Sequence, residues 1–393
     1  MLLHRKIFCL FLLIAFTFSI LLPCKAPAAD TPDEETHTIT LSYVKTGIRL
    51  VSIPAYLERR EVEFTSEPDY SSKSIHRSVI PVGVSSSHYI PFAWDRSGRM
   101  LYLDFNRNRD LTDDENNAFR AMGRVNQFFK SIPITLQFND REITYNIDIN
   151  LMIRNGLRAR ILVNSFWRGQ GRIDGEKWEM FVADDLDGKI GSTSRDVFVL
   201  RRSQTGMASI FSGMSRPDPF EYLKTTDNLH LNRNSFKIDY EFSEKDKTPE
   251  LFAHFHKASP ETAGVELKGK YLSHISLEGN WHVLLDRFPE NLELPVGTYT
   301  KTRVLLEKPG SEYRAMCKTD DPIVIGKNTL NRLAIGGPLQ NKIKAKMRIT
   351  SLVMEYRLEG VGGREFDLFG SSRPGFRIKK DGETIHKDLF DYG

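Results

Sequence analysis

Short runs in which apolar and polar residues alternate recur along most of this 393-residue chain. That period of two constrains the fold more than any other feature. "HTITLSYV" (37–44), "PITLQFNDREITYNIDI" (133–149), "ARILVNSF" (159–166) and "RDVFVLRR" (195–202) are rich in Val, Ile, Tyr and Phe. So are "FKIDYEF" (236–242), "TRVLLEK" (302–308), "SLVMEYRLEG" (351–360) and "GFRIKKDGETI" (375–385). Successive side chains of a strand point to opposite faces, so such runs suit strands with one buried face. Asn139-Asp140 and Asp381-Gly382, each set between alternating segments, suit two-residue hairpin turns. Helical signals are few. "TDDENNAFRAMGRVNQFF" (112–129) carries acids in what would be its first turn, as the helix dipole favours, and "DPFEYLKT" (218–225) adds a turn or two. The expected class is mainly β: two β-rich, sandwich-like domains with one short helix.

The N-terminus has the pattern of an export signal. His4, Arg5 and Lys6 precede the apolar run Ile7–Leu22, and Ala26 and Ala28 form an A-x-A cleavage site. Residues 1–28 are expected to be removed, giving a secreted or periplasmic protein with no stable membrane span. A retained anchor and a lipid-modified Cys24 are the alternatives. The run is shorter than the roughly 20 residues of a span, and Pro23 stands where a lipoprotein signal carries a small residue. Cleavage removes Arg5, Lys6 and Lys25 and no acid, so the formal charge of +4 becomes +1. That near balance argues against nucleic acid as partner. Cys317 is the one cysteine left, so no internal disulfide forms and stability must come from core burial or metal. The remaining 365 or so residues exceed one core. Charged, Pro-bearing segments between Glu241 and Leu267 place the boundary, giving domains of 30–245 and 246–393. In the second, "NKIKAKMRIT" (341–350) is expected to be a sandwich strand with a solvated basic face.

"LYLDFNRNRDLTDDE" (101–115) carries most of the chemistry. With Asp104 first, Asn106 falls third, Asn108 fifth, Asp110 seventh, Thr112 ninth and Glu115 twelfth, the oxygen-ligand spacing of an EF-hand loop. Leu111 takes the apolar eighth position. All donors are oxygen, which suits calcium and not zinc or copper. Arg109 occupies the sixth position, where glycine normally makes the turn, and the preceding segment is a strand and not a helix. The competing reading is a solvated Asx-rich turn capping the helix after it. A second acidic loop lies in "MFVADDLDGKIGSTSRD" (180–196). Asp185, Asp187, Gly188 and Ile190 fit the third, fifth, sixth and eighth positions, but Ala183 stands first and Ser194 twelfth. Asp184 or Asp196 can substitute only through a shift in geometry, and a plain β-turn at Asp187-Gly188 explains the same residues. The candidates for this second site are Asp185, Asp187 and Asp196.

These two segments, with "AIGGPL" (334–339) and "PGFRIKKDGETIHKDLFDYG" (374–393), resemble a family of uncharacterised secreted bacterial proteins. In that family a "D-x-N-x-N-x-D-L-T" loop precedes a "D-x-N-x-D-G" loop. The resemblance covers most of the mature chain and implies calcium-type loops in a β scaffold with a C-terminal β-sandwich; it implies no reaction. Ala183 departs from the family pattern.

Other constellations point to structure. His254 and His256 share a strand face without an adjacent third ligand, Cys317 lies in no nucleophile motif, and "GVGG" (360–363) opens no helix. No catalytic residue or organic cofactor is assigned. The leading expectation is an exported calcium-binding β protein with a structural or binding role. The alternative is an extracytoplasmic hydrolase or carbohydrate-binding module acting on envelope or extracellular polysaccharide, with Trp167, Trp178 and Trp281 as a stacking platform. Carbohydrate or an envelope polymer is the partner class; the oligomeric state is left open.

Overall fold

Alternation becomes burial in the first strand, Thr36–Val44, where Ile39 and Leu41 are fully buried and Thr38 and Thr40 are exposed. The computed structural model describes residues 36–45, 50–56, 62–71, 74–83, 89–138, 141–153, 157–191, 195–203, 223–243, 250–310, 314–349, 351–369 and 374–390. Apart from a 3-10 turn at Val361–Gly363, regular structure among these residues is strand. Among the described residues, no helix is long and apolar enough to cross a membrane.

The largest sheet has 14 strands: thirteen lie on one path, and Ile323–Ile325 pairs off it with Gly297–Glu307. Its path starts at Leu223–Lys224 and passes Val197–Arg202, Glu176–Ala183, Phe166–Ile173, Thr36–Val44, Glu250–Ala258 and Asn234–Phe242. It then continues through Asn228–Leu231, His282–Leu285, Leu272–Gly279, Gly297–Glu307 and Arg314–Thr319 to Asp367–Phe369. Neighbours along this path are antiparallel except Asn228–Leu231 and His282–Leu285, which are parallel. The sheet curls: Arg202 on its first flank pairs with Asp286 and Glu176, and Arg287 pairs with Glu176.

Two cores lie on this sheet. The first is closed by two four-stranded sheets, one of Val51–Tyr56, Leu157–Val163, Arg141–Ile153 and Gln127–Phe138, the other of Ile75–Pro81, Tyr89–Asp95, Met100–Leu103 and Ala118–Arg120. The second packs the later strands of the main sheet on a small sheet of Leu292–Pro295, Thr262–Lys268 and Asn331–Ala334, with Ile275, Val304, Leu294 and Leu333 between them. Cys317 is buried there, and burial raises its thiol pKa. The position 245/246 lies between two strands that pair, and Leu251, Ala253 and Phe255 belong to the first core. The strands on either side of that position therefore share one core, which Leu284 also joins.

Two local expectations are overturned. No helix follows the first acidic loop: 113–116 are turns, Ala118–Arg120 pairs with Met100–Tyr102, and Gln127 begins a strand. The acids that would cap a helix are used by the loop, since Asp114 accepts the Phe105 N–H at 2.9 Å and Asp113 accepts both Asn106 and Asn108 amides. Strand pairing also packs Phe119 edge-on to Phe105. Second, Gln340–Arg348 is no sandwich strand. It pairs only with Ser351–Glu359 in a ribbon whose Ile343 and Met347 are exposed. Ile343 faces Tyr356 and Met347 faces Leu352 across the ribbon, so its apolar face covers itself in part. The Asp381-Gly382 turn is as expected, with φ of 51° and 87°. Asn139-Asp140 and most of 218–225 lie outside the described residues, although Phe138 pairs with Arg141 and Leu223–Lys224 is strand.

The parallel junction between the cores carries two buried histidines. His230 bonds Ser235, and His282 lies near Glu278 and Arg303. Burial pulls each ring down to about 4 from an ordinary 6.5. The folded pKa is depressed, so the unfolded chain binds more protons between these values. The neutral rings contribute stability above pH 6.5, and it is lost as pH falls toward 4. The upper bound is about 3 kcal/mol each. Urea unfolding of wild type and His282→Gln across this range should show a smaller acid-side loss in the variant; parallel curves would refute the assignment.

Candidate metal centre

Both acidic loops leave the ends of strands on one side of the first core. Loop 104–117 follows Met100–Leu103 and is stitched to a neighbouring segment: Thr65 N–H donates to the Arg109 carbonyl at 2.8 Å and Leu111 N–H to the Ser66 carbonyl at 3.0 Å. Leu111 is buried, and the Asn117 amide donates to its carbonyl. Within the loop each short polar side chain folds back on the backbone. Asp104 accepts the Arg109 N–H at 3.0 Å, Asn106 that of Asn108 at 3.0 Å and Asn108 that of Asp110 at 2.8 Å. Asp110 accepts both the N–H and the hydroxyl of Thr112, which hold its carboxyl below the usual range. Arg107 and Arg109 adopt φ of 63° and 71°. The sixth position thus takes the left-handed turn without glycine, at a cost of order 1 kcal/mol.

Asp104 is fully buried, and burial raises its carboxyl above the ordinary value; its Oδ1 has no hydrogen-bond partner among the described residues. Asp114 adds to that rise through its charge. Glu115 is exposed on the following turn. The acids bonded within the loop are Asp113 and Asp114, two residues and one residue before the expected twelfth ligand.

The second loop gathers its carboxylates more tightly. Asp184, Asp185, Asp187 and Asp196 each present an oxygen, and these atoms lie within 4.8 Å of one another. Asp184 and Asp196 are fully buried. Asp184 accepts the N–H groups of Asp187 at 3.0 Å and Gly188 at 3.3 Å, and the Tyr145 hydroxyl at 2.8 Å. Asp196 accepts the N–H groups of Asp185 at 2.9 Å and Gly191 at 3.1 Å. Asp185 accepts the Arg195 N–H, while its buried Oδ1 has no hydrogen-bond partner among the described residues. Asp187 accepts the Lys189 N–H at 2.8 Å.

The same φ pair recurs here, 73° at Leu186 and 80° at Gly188. In the first loop these positions follow the leading aspartate by three and five residues; here they follow Asp184 by two and four. The stretch from the leading aspartate to the left-handed pair is one residue shorter, which accounts for the absent carboxylate at 183. Ala183 ends its strand with its side chain in the core, and Asp184 supplies the carboxylate instead. Asp185, Asp187 and Asp196 come together as a group, Asp184 joins them, and Ser194 lies outside the described residues. The sign of this contraction in the sequence is the doublet Asp184-Asp185; the contribution of Tyr145, 39 positions away, has no local sign.

Electrostatics follow from crowding. Burial, then the Asp196 charge, pushes Asp184 well above the ordinary carboxylate range, and burial raises Asp185 and Asp187. Asp184 in turn contributes to a Tyr145 hydroxyl held well above its usual value, chiefly by burial. Two charges about 4 Å apart repel by roughly 4 kcal/mol at an effective dielectric near 20. The positive charges of Lys189 and Arg195 offset part of this at Asp187 and Asp185, and backbone N–H groups offset more. The donor set is all carboxylate oxygen and could hold a metal ion. The hard cations prefer such a set, and thiolate- or imidazole-seeking metals do not.

The other sequence candidates are structurally occupied. His256 is hydrogen-bonded to Thr36 and Asp239, and His254 to Thr38 beside Glu241. Trp167 and Trp178 are buried, and Trp281 packs on the second core. No protein-family model, curated protein or solved structure matches this chain.

Tyr145→Phe removes the hydroxyl from Asp184 without changing shape. Loss of a buried bond to a charged group should cost about 1–3 kcal/mol, read as a lower urea midpoint with an unchanged slope. An unchanged midpoint would contradict the bond.

Proposed function

We propose that this is an exported calcium-binding β protein with a structural or binding role. The observation that carries it is the convergence of Asp184, Asp185, Asp187 and Asp196 on one point of a folded loop, two of them fully buried. Left bare at neutral pH, the group is either strained by repulsion or protonated. A divalent cation removes both costs, and calcium suits a flexible loop of four carboxylates better than magnesium, which keeps its own water. Loop 104–115 is the companion site, with Asp104, Asn106, Asn108 and Asp110 as its ligands. It is supported by its prefolded turns and by the unpartnered buried oxygen of Asp104. Here the interior acids favour Asp114 over Glu115 as the closing charge. In a chain whose mature part has one cysteine, such ions take the place of disulfides by binding only the folded state. Export rests on the leader pattern of residues 1–28. Of the alternative, an extracytoplasmic hydrolase or carbohydrate-binding module, the binding module is the part supported, by a cleft lined by Asp174, Glu176, Arg233 and Arg287 away from these loops.

Asp185→Asn with Asp187→Asn tests the proposal by a change of sign. Each asparagine keeps the one oxygen that accepts a backbone N–H and loses the charge. With excess chelator the variant should unfold at the same temperature as wild type or higher. In calcium at about a hundred times its dissociation constant, wild type should gain near 2.7 kcal/mol that the variant lacks. Equal responses to calcium would sink the assignment of this loop. A second prediction concerns pH. Carboxyls raised in the fold stabilise the metal-free protein below about pH 4, and lose that contribution as pH rises through their folded values. The calcium-dependent gain should therefore be largest near neutrality and shrink on acidification, as protons compete with the ion. A gain independent of pH would speak against carboxylate ligands.

A further inference from the structure

A cleft of about 450 Å³ opens where three turns meet at the curled edge of the main sheet. The Asp174-Gly175 turn joins Phe166–Ile173 to Glu176–Ala183, the Asn232-Arg233 turn joins Asn228–Leu231 to Asn234–Phe242, and Arg287–Pro289 leaves the end of His282–Leu285. The volume falls in the usual range for small-ligand sites. The apolar lining comes from Ile173, Trp178, Leu231 and Phe288, and the polar lining includes Asp174, Glu176, Arg233 and Arg287.

The walls are held before any ligand arrives. Asp174 accepts the Asn234 amide at 2.5 Å and is hydrogen-bonded to the His37 ring at 3.2 Å. Glu176 lies between Arg202 and Arg287, the latter at 2.6 Å. Asn232 accepts the Asp286 N–H at 3.0 Å and donates to its carboxylate at 2.9 Å. Arg202 lies over the Trp178 ring, 5.0 Å from its centre. Groups braced in this way lose little freedom on binding, which is the condition for useful affinity from a few contacts.

Charge selects the ligand class. Asp174 and Glu176 oppose Arg233 and Arg287, so these four groups sum to zero. An anion meets the carboxylates and a cation meets the guanidiniums. A neutral molecule with an apolar face and an edge of hydroxyls satisfies all of them: carbons on the apolar lining, hydroxyl protons to the carboxylates, hydroxyl oxygens to the arginine N–H groups. We propose that this cleft binds a neutral carbohydrate, a hexose or N-acetylhexosamine unit, without cleaving it. Glycoside cleavage needs one carboxyl free to deliver a proton and a second facing the sugar carbon. Here Glu176 accepts from two guanidiniums, and Asp174 accepts the Asn234 amide beside the His37 ring. The site shares no residue with the acidic loops and does not depend on the calcium reading.

Titration calorimetry of the purified protein, in constant excess calcium, tests this. The neutral probes are glucose, galactose, mannose, N-acetylglucosamine, maltotetraose and chitotetraose, and tetragalacturonate is the anionic comparison. At least one neutral probe should bind saturably. Arg233→Ala, at an exposed turn, and Phe288→Ala should each weaken it by about tenfold or more, with unfolding temperature checked in parallel. Product analysis after prolonged incubation should show intact probe. Saturation by no neutral probe would overturn the proposal, as would wild-type affinity in a folded Arg233→Ala variant or tighter binding of tetragalacturonate. Hydrolysis of a bound tetrasaccharide would overturn its non-catalytic half and favour the hydrolase reading.

Discussion

Asp184 and Asp196 are cut off from water while lying within ligand distance of each other and of Asp185 and Asp187, and the structure around them is organised by that repulsion. Backbone N–H groups of Asp187, Gly188, Asp185 and Gly191 point at these carboxylates, and the Tyr145 hydroxyl adds a fifth donor. Three of these donors reach Asp184 and favour its charged form, yet burial and repulsion win, and it stays well above the ordinary range. Such a loop is incomplete without positive charge. A proton supplies it at low pH, and a bound metal ion could supply it at neutral pH.

The loop also explains why its surroundings are strand. Asp184 extends the strand ending at Ala183 and Asp196 immediately precedes Val197–Arg202, so the site lies across two antiparallel neighbours of the main sheet. Tyr145 reaches it from the four-stranded sheet that covers the first core. Leu186 is in that core and accepts the Gly83 N–H from the sheet that carries loop 104–117. An ion at this point would tie three sheets to one loop. A disulfide would have served the same end, and Cys317 is the one cysteine among the described residues.

Much of this was legible from residues because strand periodicity is local. Alternation in 37–44 and 133–149 marks buried faces directly, and Asp381-Gly382 specifies its own turn. The misread segments depended on partners far away. Residues 112–129 have helix-favouring acids and apolar spacing, but the acids satisfy loop amides and Met100–Leu103 offers Ala118–Arg120 an edge to pair with. The spacing rule for an EF-hand loop treats its positions as fixed, so a loop contracted by one residue puts Ala183 first. Only the paired left-handed residues, Arg107 and Arg109 in one loop and Leu186 and Gly188 in the other, show that the two share a frame. The curl that brings Arg202 to Asp286 is a property of the whole sheet and has no sign in either segment.

The central claim is that the 184–196 carboxylates hold calcium in the folded protein. Calorimetric titration of the metal-free protein with calcium, at one pH in two buffers of different ionisation enthalpy, tests it directly, because raised carboxyls must shed protons as the ion enters. The account predicts saturable binding with net proton release that grows as pH is lowered from about 7 to about 5.5, and loss of that release in Asp185→Asn with Asp187→Asn. Absence of binding, or binding with no proton release and full affinity in the variant, would contradict it.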